Sequence, residues 1–184
     1  MIGRLPKALE IDGISYPINS DFRAALLIFQ AFGDVELSPI NKQLVLLEII
    51  YTPIGEDKPN IPANTEDAIK QAMWFLDVGL EHKKDSPKTM DYTQDEQLIF
   101  SAVNAVYTKD VREDEYMHWW TFYGLCQAIN NESLLAQIVN IRTKKAKGEK
   151  LEKYEQKFYA ENRNLIDFRM SQSQYDAMIE QLRG

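Results

Sequence analysis

A single cysteine, Cys126, stands among 184 residues, so no internal disulfide can form and the chain reads as one made for a reducing compartment. Histidine is nearly as scarce. Only His82 and His118 occur, which leaves few of the side chains that metal and acid–base sites draw on. No apolar run is long enough to cross a bilayer: "AALLIF" and "LVLLEIIY" are the longest, and the second carries Glu48. The opening "MIGRLPKALEIDG" has no apolar stretch followed by a small-residue cleavage site, so no secretion signal is expected. An excess of positive charge is also missing. The net charge of −7 argues against a nucleic-acid binder driven by overall charge, because phosphate neutralisation supplies non-specific affinity. There is no glycine-rich phosphate loop, no G-x-S-x-G elbow, no internal repeat and no low-complexity tract.

What remains is globular in kind. Apolar residues make up 45% and charged residues 27%, enough to build one core without staples. "LEIDGISYPI" alternates apolar and polar positions around Asp12-Gly13, a two-residue hairpin signal, and Pro17 ends or edges the second strand. Helices follow. Asn19 or Ser20 is positioned to cap the first, with Phe22, Leu26 and Phe29 inside it and Gly33 at its end. Ser38-Pro39 opens the second. "TPIGEDKPNIPAN", residues 52–64, reads as an extended surface loop and a candidate partner-ordered segment. Asn64 or Thr65 starts a helix with Ile69, Met73, Leu76 and Leu80 at helical spacing and Trp74 beside them. Thr93 and Glu96 make a capping-box pattern for a helix over 91–107. The expected fold is mainly α: a single domain of about seven or eight helices, with a hairpin over 1–19, a helical core over 20–162 and an amphipathic helix over 163–184.

"EYMHWWTFYGLC", residues 115–126, concentrates most of the conceivable chemistry, with the acidic "TKDVREDE" before it suiting a helix amino end. A helix that is apolar nearly all round belongs inside a bundle, so Trp119, Trp120 and Phe122, with Trp74, are expected as core anchors, Gly124 as a close-crossing point and Cys126 as a small hydrophobe. Glu115 and His118 form an E-x-x-H pair of the kind that offers two ligands to a di-iron centre. A second pair is missing, because Gly79 stands three residues before His82. Cys126 and His118 lie about 12 Å apart along a helix axis, too far to act as a nucleophile and its base. His118 is expected to hydrogen-bond a carbonyl or pair with Asp114 or Glu115. No cofactor is expected.

Charge is unevenly placed. Residues 142–157 hold seven bases (Arg142, Lys144, Lys145, Lys147, Lys150, Lys153, Lys157) and three acids, so the rest of the chain carries −11. Such polarity can steer an acidic partner or a second copy of the chain, or it can be a solvated helix pair. Tyr154, Phe158 and Tyr159 interleave with these lysines as in some single-strand binders, but they fall at the spacing of a core stripe. At the carboxy end, Tyr175, Met178, Ile179 and Leu182 recur at i, i+3, i+4 and i+7, a stripe suited to docking on another chain or on its own domain.

"DEQLIFSAVNAVYTKDVREDEYMHWWTFYGLCQAI" followed by "IVNIRTKKAKGEKLEKYEQKFYAEN" resembles the gene-product-fifteen family of tailed phages and prophages of Gram-positive bacteria. The residues that carry the likeness are His118-Trp119-Trp120-Thr121-Phe122, Ile141-Arg142, Lys144-Lys145 and Lys150-Leu151 with Glu155 and Tyr159. Members are encoded between the tube and tape-measure genes. The resemblance therefore implies a tail assembly chaperone, non-enzymatic, working in the host cytoplasm on tape-measure or tail-tube protein; the net charge and the short apolar runs argue against nucleic acid or membrane as partners. Its candidate partner-binding residues are Arg142, Lys144, Lys145, Lys147 and Lys150, together with Tyr175, Met178, Ile179 and Leu182. The rivals are a permanent tail or connector component and, in another class, a metal- or cysteine-dependent hydrolase.

Overall fold

Asp12 and Gly13 both take positive φ, 52° and 77°, the geometry of a two-residue hairpin turn whose twist matches the flanking strands. The computed structural model describes residues 2–80 and 87–169. In it this turn joins β1 (Ala8–Ile11) to β2 (Ile14–Pro17), paired antiparallel from Ala8↔Pro17 to Ile11↔Ile14. Leu9 and Ile11 are buried on one face of β1. Asn64 ties the turn to the body: its amide nitrogen donates to the Asp12 carboxylate while its oxygen caps the third helix.

The main body holds α1 (Phe22–Gly33), α2 (Pro39–Ile50), α3 (Thr65–Leu76), α4 (Glu96–Tyr107) and α5 (Trp119–Gln127), with a short 3-10 turn at Val111–Glu113. Ser38 caps α2 ahead of Pro39. Asp21, rather than Asn19 or Ser20, caps α1. One Asp21 oxygen accepts from the Arg23 amide and the other from the Met117 amide, while Ser20 meets the Tyr116 hydroxyl. The segment 52–64 contains turns but no helix or strand, and it is fastened at its base: the Asn60 amide donates to the Tyr51 carbonyl, and the buried Tyr51 hydroxyl to that of Ala68.

Two apolar clusters form. The larger includes Phe22, whose ring stacks on Phe122 at 4.4 Å with Phe100 and Trp119 against the pair, and Ile28 and Phe75 belong to the same cluster. The smaller joins Ile138 and Ile141 of α6 (Leu134–Ala146) to Ile166 of α8 (Arg163–Ile166), with Phe158 and Tyr159 of α7 (Lys153–Glu161) against it. α4 packs on both α5 and α6 and so bridges the clusters; Leu98 touches the two. The fold is mainly α with an amino-terminal hairpin, and eight α-helices occur among the described residues. None of them is long and apolar enough to cross a membrane.

Candidate functional site

The aromatic segment begins later than its sequence suggests. α5 starts at Trp119, so Glu115 and His118 do not share a helix and offer no paired ligands. Residues 117–119 instead bond to the start of α1: the Phe22 amide donates to the Met117 carbonyl and the Trp119 amide to that of Ser20. His118 is buried and caps α5. Its Nδ1 accepts from the Trp120 amide at 3.0 Å, which leaves Nε2 to donate to the Pro6 carbonyl at 2.8 Å. Burial lowers its pKa below the ordinary 6.5, helped by Lys7, while the bond to Pro6 works the other way. The two indoles close the end of α3: Trp119 Nε1 donates to the Leu76 carbonyl and Trp120 Nε1 to that of Phe75, both at 2.9 Å. These are carbonyls from a helix's last turn, which lack partners within the helix.

Trp119 and Phe122 lie in the core, whereas Trp74 corrects the expected anchor role: it is 43% exposed, stacked edge-on against the half-buried Trp120 at 5.5 Å. Gly124 is also not a crossing point, since a Cβ there would meet nothing within 4 Å. The glycine that matters is Gly79. It sits at φ +74°, and a Cβ on it would lie 3.5 Å from both indoles. Burial pushes the Cys126 thiol up to about 12, a direction that suppresses thiolate chemistry. Among the described residues, no three His, Cys, Asp or Glu side chains gather closely enough to hold a metal.

The basic stretch departs most from expectation. Arg142 is not a surface residue: it is 4% exposed and forms a bidentate pair with buried Asp95, at 2.5 and 2.9 Å. The rest of its guanidinium donates to the carbonyls of Ile166, Leu165 and Thr89 at 2.7, 2.7 and 3.2 Å. Asp95 in turn accepts from the Asp91 amide, so it makes no side-chain cap for α4, and the expected Thr93–Glu96 capping box is replaced by a turn that Asp91 holds. Lys144 is engaged as well, donating at 2.7 and 2.9 Å to Glu155. That ammonium holds the Glu155 carboxyl below its ordinary range, aided by the Glu152 amide. Lys145 pairs with Asp167 and Tyr159. Only Lys147 and Lys150 of the five named bases stand exposed without an ion pair among the described residues. Tyr175, Met178, Ile179 and Leu182 lie outside the described residues.

Sequence reasoning missed Asp95 and Asp167 as the groups that receive Arg142 and Lys145, and it did not assign Glu155 to Lys144. No local pattern announces them, because Arg142 and Asp95 are separated by 47 positions.

The chain thus presents a helical body whose polar centre is a buried ion pair and whose aromatic segment closes helix ends. It belongs to the family described as Bacteriophage Gp15 protein, which it matches over residues 1–168. No curated protein and no solved structure matches it.

Proposed function

We propose that this phage protein is a non-enzymatic helper of tail assembly that binds tape-measure or tail-tube protein in the host cytoplasm. The family match over residues 1–168 carries the reading, through the position the family's members hold beside the tail genes. The surface supports it physically. A protein that holds other polypeptides needs apolar side chains left on its outside, and α2 offers Ile40 and Leu44, 69% and 50% exposed, one turn apart on the face away from the core. Leu27 is exposed on α1 as well. The engaged state of Arg142, Lys144 and Lys145 moves the proposed contact from the basic stretch to these apolar faces.

Co-expression with the neighbouring tape-measure and tail-tube proteins tests the reading. A complex with either is expected to survive purification and to be lost on Leu44→Glu. Folded protein that captures neither would refute the proposal. Recovery of the chain from purified virions would favour the permanent tail component instead.

A further inference from the structure

The last described residues leave the body at a defined place. Gln94 donates to the carbonyls of Leu165 and Asp167 at 3.3 and 3.0 Å and accepts from the Arg169 amide at 2.9 Å. Arg142 holds the carbonyls of Leu165 and Ile166, and its guanidinium lies 4.3 Å from the Phe168 ring centre. Phe168 and Arg169 are thereby set against an open groove of about 930 Å³ between the carboxy end of α1 and the segment 88–94. The apolar side chains of the groove are Phe29, Phe32, Val35, Leu37, Met90 and Tyr92, and Val35 is 62% exposed. Polar residues, Asp34, Glu36 and Asp91 among them, stand at its rim.

Fifteen residues follow Arg169 in the sequence, and they carry Tyr175, Met178, Ile179 and Leu182 at helical spacing, with Asp176, Glu180 and Arg183 along one flank of that repeat. Five residues separate Arg169 from Tyr175, a reach of about 20 Å when extended. We infer that this groove is the docking site of the chain's own residues 170–184, seated through that apolar stripe. The occupant is chosen by where the chain leaves the body: a clamped exit at the groove's edge gives these residues a high effective concentration there, against which any outside peptide must compete. A partner that takes the stripe must therefore first displace it. This docking is independent of the role in tail assembly.

Hydrogen exchange of the full chain, followed peptide by peptide, tests it. Amides of 175–182 should exchange at least about tenfold more slowly than the same sequence as a free peptide, at any protein concentration. Val35→Glu, on the exposed side of the groove, and Ile179→Glu, outside the body, should each restore free-peptide exchange there while amides of α1 and α4 keep their wild-type protection. Free-peptide exchange in the wild type overturns the inference, and so does slowing that Val35→Glu leaves intact. Slowing that grows with protein concentration also overturns it, because the groove would then be taking a second copy.

Discussion

Replacing Arg142 with methionine removes the donor of five hydrogen bonds. The substitution keeps much of the side chain's length and apolar stem. It leaves Asp95, whose side chain is 1% exposed, as a buried carboxylate that still accepts from the Asp91 amide, and it strips a donor from the Leu165, Ile166 and Thr89 carbonyls. Breaking a buried pair by deleting one partner costs about 3–5 kcal/mol, because the surviving charge keeps its desolvation penalty without its compensation. Against a total stability of about 5–15 kcal/mol, that is a large share. At about 2–4 °C per kcal/mol for a domain of this size, Tm should fall by about 6–20 °C. Arg142→Lys should recover only part of the loss, since one ammonium cannot reach acceptors spread around a planar fork. The double variant Arg142→Met/Asp95→Leu removes the stranded charge and should be more stable than Arg142→Met alone, yet below wild type because the Ile166 and Thr89 carbonyls lose their guanidinium donor and that of Leu165 keeps only the Gln94 amide. Urea unfolding followed by far-ultraviolet circular dichroism measures all four proteins. An Arg142→Met variant within about 1 kcal/mol of wild type would refute the reasoning, since it would mean the pair and its carbonyl shell contribute no more than a surface contact does.

Other perturbations have equally definite outcomes. Because the folded state lowers the His118 pKa below 6.5, the unfolded chain binds more protons between that lowered value and about 6.5. Stability should therefore be full above about pH 6.5 and decline as pH falls through this window; His118→Asn, which can still cap α5, should flatten that part of the unfolding midpoint–pH curve. Cys126 should react with a thiol reagent at pH 8 only as fast as the protein unfolds, since at a pKa of about 12 roughly one thiol in 10⁴ is ionised. Trp119→Ala should cost about 3–5 kcal/mol and Trp74→Ala less than about 2, and equal costs would contradict the different burial of the two rings.

The elements legible in the sequence are those whose cause is local. Asp12-Gly13 made a hairpin because those two residues accept positive φ, and Ser38-Pro39 opened α2 because the cap and the fixed φ of proline act on the same turn. Where a partner from elsewhere in the chain decides the outcome, local reading failed. Glu115 and the acids before it look like a helix amino end, yet the backbone at Met117–Trp119 is taken by Ser20 and Phe22, and the helix waits until His118 can cap it. Trp74 has the same spacing arguments as its neighbours Phe75 and Leu76, but α3 turns it to the partly exposed side, against Trp120 and Gly79. Nothing near Asp95 in sequence marks it as the counter-ion of Arg142.

That last pairing changes how the charge map should be read. A stretch of seven bases looks like a surface field when only its own acids are counted, but Asp95 and Asp167 come from outside it and Glu155 turns inward from within it. Three bases then act at short range, closing α6 onto α4, α7 and the segment after α8; the buried Arg142–Asp95 pair is strengthened by low dielectric and little screened by salt, whereas Lys145–Asp167 lies at the surface. The bases left outside, Lys147, Lys150, Lys153 and Lys157, are interleaved with Glu149 and Glu152 or face Glu161, so their outward field is weak. Recognition of another polypeptide by this body must accordingly draw on area rather than net charge, and Ile40 and Leu44 of α2 supply exposed apolar area far in sequence from the lysines.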